Sequence, residues 1–493
     1  MVLDIANSKS YKADLLVFIM DKDKIKKISE NIYQLDKTGK MNVPVVVYAS
    51  DKLLKDMEKD KCIEQMKNVS MLPGIQKHSI VLPDAHQGYG FSIGGVAAFS
   101  MDEGVISPGG VGYDINCSVR LLKTNLTKKD IEDKRDQISK ALFKEIPSGI
   151  GKGTKIKINK SELKEIMRKG AKWAVEKGYG EKDDYIYSEE NACMEEADPE
   201  FVSEKAISRG INQLGSIGSG NHFLELQCVD KIFDKKTAEI FGLKENQIVV
   251  MIHCGSRGLG HQVASDYIKA IEDEYGFSDL PDRQLINAPI NSKLGKEYYK
   301  AMCAAANFAF CNKQILTHLT RECMKRFFPN FKAEVLYDVC HNIAKFEEHE
   351  INGKKIKLCV HRKGATRSFG PGKKELPFKY RDIGQPILIP GSMGTASYVL
   401  VGTNKAEEIS FSSTAHGAGR LMSRHEAIKT LNKDNIKKEM EGKNIALTSG
   451  SWKGIVEEAP EAYKDVDEVV RVSDELGIGK IIAKLKPMVV IKG

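Results

Sequence analysis

The chain has 493 residues, of which 41% are apolar and 29% charged, and a formal net charge of +8. That balance is globular and excludes a disordered chain, a collagen and a coiled-coil rod. Ten cysteines, no two of them spaced as C-x-x-C, exclude a disulfide scaffold, a zinc ribbon and a thioredoxin-type motif.

Near the start, the apolar run Leu15 to Met20 is short and is followed at once by Asp21, Lys22, Asp23 and Lys24. It reads as a strand rather than a signal peptide. No run approaches the ~18 apolar residues of a membrane span, so the expected location is cytoplasmic, with no membrane partner. Residues 21–70 are rich in lysine and hold one strand-like run, Val45 to Ala49. Residues 77–125 hold several short strand-like runs separated by glycine. Residues 126–185 read as helical, with Leu163, Ile166, Met167, Ala171, Ala174 and Val175 recurring at helical spacing. A long helix is predicted from about Lys296 to Phe328, dense in alanine and free of Pro and Gly. No solenoid repeat and no low-complexity linker divides the chain. The expectation is one large mixed α/β (α+β) domain over 1–493, with central sheets surrounded by helices.

Charge is concentrated. Ten basic residues stand between Lys354 and Arg381 against a single acid, Glu375, so this segment carries +9 and the rest of the chain is close to neutral. The segment reads either as a contact surface for a polyanion backbone or as a solvated loop. Phe369, Phe378 and Tyr380 lie within it, as stacking groups or as packing anchors.

Glycine is clustered around Gly109–Gly112, Gly215–Gly220, Gly255–Gly260, Gly364–Gly372, Gly391–Gly394 and Gly417–Gly419. Glycine lets backbone N–H groups approach an anion closely, so repeated clusters suggest a phosphate-rich ligand, while any one of them also reads as an ordinary turn. The P-loop and dinucleotide motifs are absent.

Apolar runs lead directly into histidines at His86, His253, His341 and His361. One such histidine reads as structural, but several suggest a shared metal or catalytic centre. Asp114 and Cys117 add a carboxylate and a thiol three residues apart. His222 follows the glycine run at 215–220. Asp114, Cys117, His222, His253 and His341 would suffice for two metals sharing Cys117. This donor set suits Zn and also admits Mn. The alternative for Asp114 and Cys117 is a helix cap beside a buried cysteine.

At these residues the sequence resembles the RtcB family of RNA-splicing ligases, essentially from end to end. The matching stretches are PDAHQGYGFSIGGV at 83–96, PGGVGYDINCSVR at 108–120, GSGNHFLE at 218–225 and HCGSRGLGHQ at 253–262. They continue with YDVCHNIAK at 337–345, HRKGATRSFGPG at 361–372 and STAHGAGR at 413–420. Ser92 stands where the family often has proline, and Cys254 and Cys340 stand beside two of the metal histidines.

The resemblance implies two Mn2+ ions, the first on Asp114, Cys117 and His222, the second on Cys117, His253 and His341. It implies that His416 is the nucleophile that becomes guanylylated by GTP. The guanylate would be cradled by Asn221, His222, Phe223, Leu224, Glu225, His341, Asn342, Pro390, Gly391, Ser392, Met393 and Ser397. Gly417, Ala418, Gly419, Tyr463 and Lys492 would complete that cradle. It also implies ligation of an RNA 2′,3′-cyclic phosphate or 3′-phosphate end to a 5′-hydroxyl end, acting on tRNA exon halves or broken RNA, with an archease-type protein as a possible activator. The rival readings are a dinuclear-metal phosphoesterase that processes RNA 3′ ends, and an RNA-binding protein that has lost catalysis.

Overall fold

The computed structural model describes residues 25–149 and 154–493; the run Leu15 to Met20 lies outside the described residues. In chain order the strands are β1 (Lys26–Ser29), β2 (Ile32–Leu35), β3 (Val45–Tyr48), β4 (Ser79–His86), β5 (Ile93–Ser100), β6 (Val105–Ile106), β7 (Ser118–Thr127), β8 (Phe223–Ile232) and β9 (Gln247–Cys254). They continue with β10 (Ala288–Pro289), β11 (Ala333–Cys340), β12 (Asn342–Ile351), β13 (Lys354–Lys363), β14 (Ala365–Arg367), β15 (Pro386–Ile389), β16 (Ser397–Val401), β17 (Ser413–Ala415), β18 (Ala446–Ser449) and β19 (Lys480–Lys492). One sheet has the order β1-β2-β3-β4-β5-β13-β12. The other has the order β11-β7-β9-β8-β19-β16-β15, with β18 joined in parallel to β19. The fold class is the expected mixed α/β. The predicted run Val45 to Ala49 is β3, and β12 and β13 are joined through Asn352 and Gly353, both at positive φ, as a tight hairpin demands.

Alternation sorts the second sheet's two faces. Val119, Leu121, Val249 and Met251 belong to one apolar cluster, and Leu122, Val250 and Ile252 to another that continues into the first sheet. Successive strand residues point to opposite faces, so these two sets separate by parity. Cys117, His253 and His341 share the odd parity of the first set.

Among the helices, α1 (Lys160–Lys169), α2 (Arg257–Tyr275) and α3 (Lys293–Lys325) matter most here. The helical stretch predicted around 163–175 is interrupted at Gly170, whose φ of +57° ends α1 before a second helix begins at Ala171. The long helix starts three residues before the predicted Lys296. Ser292 caps it by accepting a hydrogen bond from the Gly295 N–H, so the glycine sits inside the first turn. From Ala301 to Thr317 every side of α3 is buried, as expected of a helix at the centre of a large core. Its polar side chains are tied down. Asn312 Oδ1 accepts from the Gly215 N–H at 2.7 Å, and Lys313 Nζ donates to Asp338 Oδ1 at 2.5 Å.

The basic stretch at 354–381 is divided by the fold. Arg362 is fully buried and grips both oxygens of Glu347 at 2.7 Å. Arg367 donates to Glu190 at 2.8 Å and to Gln385 at 3.0 Å. Lys363 is buried and donates to the carbonyls of Gly109 at 3.0 Å, Phe91 at 3.1 Å and Tyr89. Burial lowers its pKa to about 7. Lys355 and Lys357 lie opposite Glu350 and Glu348 in the hairpin register. Lys354, Lys355 and Lys357 at the hairpin tip and the part around Lys374, Phe378 and Lys379 are exposed. Neither a continuous contact surface nor a solvated loop describes this segment. Phe369 and Tyr380 are packing anchors in the core, whereas Phe378 faces solvent.

Candidate active site

Antiparallel pairing brings opposite strand ends together. The C-terminal ends of β9, β11 and β19 meet the N-terminal ends of β7 and β8 at one edge of the second sheet. The register places Val119 against His253, Ser118 against Cys340, and Phe223 against both His253 and Lys492. A residue near the C-terminus thereby enters a site built from residues 114 to 341.

All five proposed ligands converge. Cys117 Sγ lies 3.4 Å from His222 Nε2 and 3.2 Å from His253 Nε2. His253 Nε2 lies 3.3 Å from His341 Nε2, and His222 Nε2 lies 2.7 Å from Asp114 Oδ2. The groups fall into two sets, Asp114–Cys117–His222 and Cys117–His253–His341, whose donor atoms lie within 4.8 Å of one another. Cys117 belongs to both.

Local structure aims these donors. The turn 114–117 closes through the Cys117 N–H on the Asp114 carbonyl at 2.9 Å. Asn116 takes a φ of 52°, tolerated by asparagine, and its Nδ2 anchors to the Ala306 carbonyl of α3 at 2.8 Å. The Asp114 carboxylate lies against Gly255, where a Cβ would fall 2.3 Å from Oδ1. His222 Nδ1 donates to the Ile217 carbonyl at 3.1 Å, which turns Nε2 toward Asp114 and Cys117; burial opposes protonation of the ring, but the Asp114 charge outweighs it and holds the imidazole well above its usual range.

The electrostatics suit cations. Burial opposes ionisation of Asp114, but the charge on His222 and hydrogen bonds outweigh it and hold the carboxyl at about 2. Burial, then Asp114, pushes the Cys117 thiol up to about 12. Burial, then neighbouring histidines, drives His253 and His341 well below the usual imidazole range. Two neutral imidazoles that face each other Nε2 to Nε2 at 3.3 Å and a sulfur shared by both sets form a lone-pair-rich cluster, which fits a pair of divalent cations.

His416 follows β17, and its ring centroid is 4.9 Å from that of His341. Asp84, fully buried near the end of β4, accepts from His416 Nδ1 at 2.6 Å and from the His416 backbone N–H at 2.8 Å. Burial raises the Asp84 pKa, but the His416 charge and hydrogen bonds more than offset it, so the carboxyl stays below its ordinary range. An ionised Asp84 fixes Nδ1 as the donor, so the neutral ring carries its lone pair on Nε2. Gly419, at φ +75°, passes so close to the Asp84 carbonyl that a Cβ would fall 2.0 Å from it. Asp84 lies in the 83–96 block, but its role is not visible in local sequence: it lies 332 residues from His416.

A cleft of about 610 Å³ opens beside His416, lined among others by Asn221, Phe223, His253, Pro390, Gly391, Ser392, Met393, Gly417, Ala418, Gly419, Tyr463 and Lys492. Ser397 Oγ accepts from the Gly391 N–H at 3.1 Å, and Gln227 Nε2 donates to Ser397 Oγ at 3.0 Å and to Glu225 Oε2 at 2.7 Å. Burial pushes Glu225 up to about 7. Asn342 bonds to the Asp114 carbonyl at 3.1 Å and to the Gly364 N–H at 2.8 Å, bracing the metal turn. Leu224 has the opposite parity from Phe223 and Glu225 and is packed in the core, away from the cleft.

Sequence reasoning missed Glu458. This buried carboxylate gathers Arg420 at 3.2 Å, Arg424 at 3.6 Å and Lys492 at 3.7 Å, and accepts from the Tyr463 hydroxyl. Tyr463 itself receives a hydrogen bond from Arg420 at 3.0 Å. Of the strand-end histidines, His253 and His341 join the centre and His86 lines the cleft. His361 does not: its Nε2 accepts from the Ser107 N–H at 3.1 Å and its ring packs on Phe99.

A family model described as tRNA-splicing ligase RtcB matches residues 65–493. The chain belongs to the RtcB family. It is 52% identical to the tRNA-splicing ligase RtcB of Thermococcus kodakarensis, over 95% of this chain and 98% of that one. It is equally similar to the Archaeoglobus fulgidus protein of that name, 52% identical over 95% and 99%. The RNA-splicing ligase RtcB homolog 1 of Entamoeba histolytica is 49% identical over 88% of this chain and 83% of its own length. The RtcB resemblance read from seven short blocks thus extends over most of the chain. No helix among the described residues is long and apolar enough to cross a membrane.

Proposed function

We propose that this chain is a GTP-dependent RNA ligase that joins a 3′-phosphate or 2′,3′-cyclic phosphate end to a 5′-hydroxyl end through guanylylated His416. The observation that carries the reading is the His416–Asp84 pair beside the five-ligand cluster. The names of its relatives favour tRNA exon halves as the RNA.

His416 Nε2, unprotonated because Asp84 holds the proton on Nδ1, attacks the α-phosphorus of GTP and pyrophosphate leaves. Asp84 balances the positive charge that the imidazole gains as the N–P bond forms. An oxygen of the RNA 3′-phosphate then attacks the guanylate phosphorus, breaking the N–P bond and restoring the free imidazole. The 5′-hydroxyl of the second RNA attacks the activated 3′-phosphate, loses its proton, and GMP leaves. Asp114, Cys117, His222, His253 and His341 would hold two Mn2+ ions, which act as Lewis acids toward phosphate oxygens. Tyr463 and Lys492 border the cleft on the side expected to receive guanine, and Glu225 and Ser397 are buried.

A phosphoesterase confined to 3′-end processing would use the metal cluster alone and gives no purpose to the His416–Asp84 pair. Incubation with α-labelled GTP and Mn2+ should leave acid-labile label on the protein. His416→Ala should abolish it and His425→Ala should not; label persisting on His416→Ala would refute the assignment.

A further inference from the structure

The ligand row has two ends. His416 stands next to His341 at one end, and His253, Cys117 and His222 lead to Asp114 at the other. Beyond Asp114 the chain places aromatic rings that neither the metal cluster nor the cleft employs. Tyr113, the residue before Asp114, stacks on His261 with centroids 4.8 Å apart and planes at 26°. Tyr89 meets Tyr113 edge-on at 5.3 Å.

Tyr89 and Tyr113 are half-buried and His261, on the second turn of α2, is exposed. Its neighbours Gln262 and Val263 are buried, so α2 is anchored by other residues and His261 contributes an open ring face rather than core. Arg209, also exposed, donates to Gln262 Oε1 at 2.9 Å and so stands beside that ring. A stacked aromatic pair with an open end next to a guanidinium is the arrangement that holds a single-stranded base and its phosphate. On α2, Asp266 is engaged by Gln262 at 2.7 Å and Ser203 at 2.5 Å, and a run of acids begins at Glu272, eleven residues or ~16 Å from His261, which limits the favourable surface to a few nucleotides.

We propose that the Tyr113–His261 stack is a nucleobase platform for the RNA strand that carries the 5′-hydroxyl. This rests on the ligase reading. In that reaction GMP leaves toward the His416 cleft. An in-line displacement requires the attacking oxygen to arrive from the opposite side of the phosphorus. The nucleotides behind that oxygen therefore run past Asp114 and onto the stack.

The test uses short 5′-hydroxyl oligoribonucleotides with 2-aminopurine placed singly at each of the first four positions, bound to the full chain. One position should be quenched. His261→Ala should remove that quenching and weaken binding about tenfold, ~1.4 kcal/mol, and His261→Trp should restore both. A 5′-blocked oligonucleotide ending in a 3′-phosphate should bind all three proteins alike. Unchanged quenching and affinity in His261→Ala would overturn the platform. Loss of affinity for the 3′-phosphate strand instead would overturn the strand assignment. Guanylylation of the unaltered protein needs no RNA, so its failure would sink the ligase reading, while normal guanylylation without quenching sinks only the platform.

Discussion

Replacing Asp84 by Asn isolates the role of one buried charge. The amide is the same size and can still accept from His416, so the loop keeps its shape. What disappears is the negative charge 2.6 Å from Nδ1. His416 becomes cationic as its Nε2 bonds to phosphorus, and in the variant that cation forms with no counter-charge. Breaking a buried pair by neutralising one member costs ~3–5 kcal/mol. At ~1.4 kcal/mol per factor of ten, this slows transfer of GMP to the protein by about a hundred- to several-thousand-fold. The amide can also present its NH2 group to Nδ1, which selects the tautomer with the proton on Nε2 and adds to the loss. The assay is single-turnover labelling with GTP and Mn2+, with melting temperature as a check on folding. A rate within about threefold of the parent protein would refute the argument that Asp84 sets the nucleophile.

Two further predictions follow the same logic. Cys117→Ala should lose metal from both positions, whereas His222→Ala should mainly weaken one. Elemental analysis after equilibration with Mn2+ measures this, and full occupancy in Cys117→Ala would remove the bridging role. Glu225 binds its proton more tightly folded than unfolded, at about 7 against an ordinary 4.5. Its protonated form therefore favours the folded state, and that advantage is lost as pH rises from about 4.5 through 7, a span of ~3 kcal/mol. Glu225→Gln should be more stable than the parent at pH 8 and equal to it near pH 4.5; parallel melting-temperature curves would contradict the burial argument.

Local chemistry made much of this protein legible. A cysteine three residues after an aspartate, histidines at the ends of apolar runs, and a histidine among glycines each carried a donor type in one short segment. The α3 helix was visible because composition and periodicity agree over many turns. Its start moved by three residues because Ser292 can cap from outside a turn that contains Gly295. The long positive stretch misled for a related reason. Counting charge cannot tell Arg362, locked on Glu347 in the core, from Lys379 at the surface, since the partner comes from a neighbouring strand.

By itself the sequence determined which groups can bind metal, attack phosphorus or approach a phosphate, because these are properties of single side chains and their immediate neighbours. Only the tertiary structure decided which of them meet. Antiparallel register set Cys117 beside His253 and Lys492 against Phe223, and sheet-to-loop packing brought Asp84 to His416 across 332 residues. Hydrogen bonds and Coulomb forces act over a few ångströms, so the partner that fixes a tautomer or a charge is chosen by distance in space.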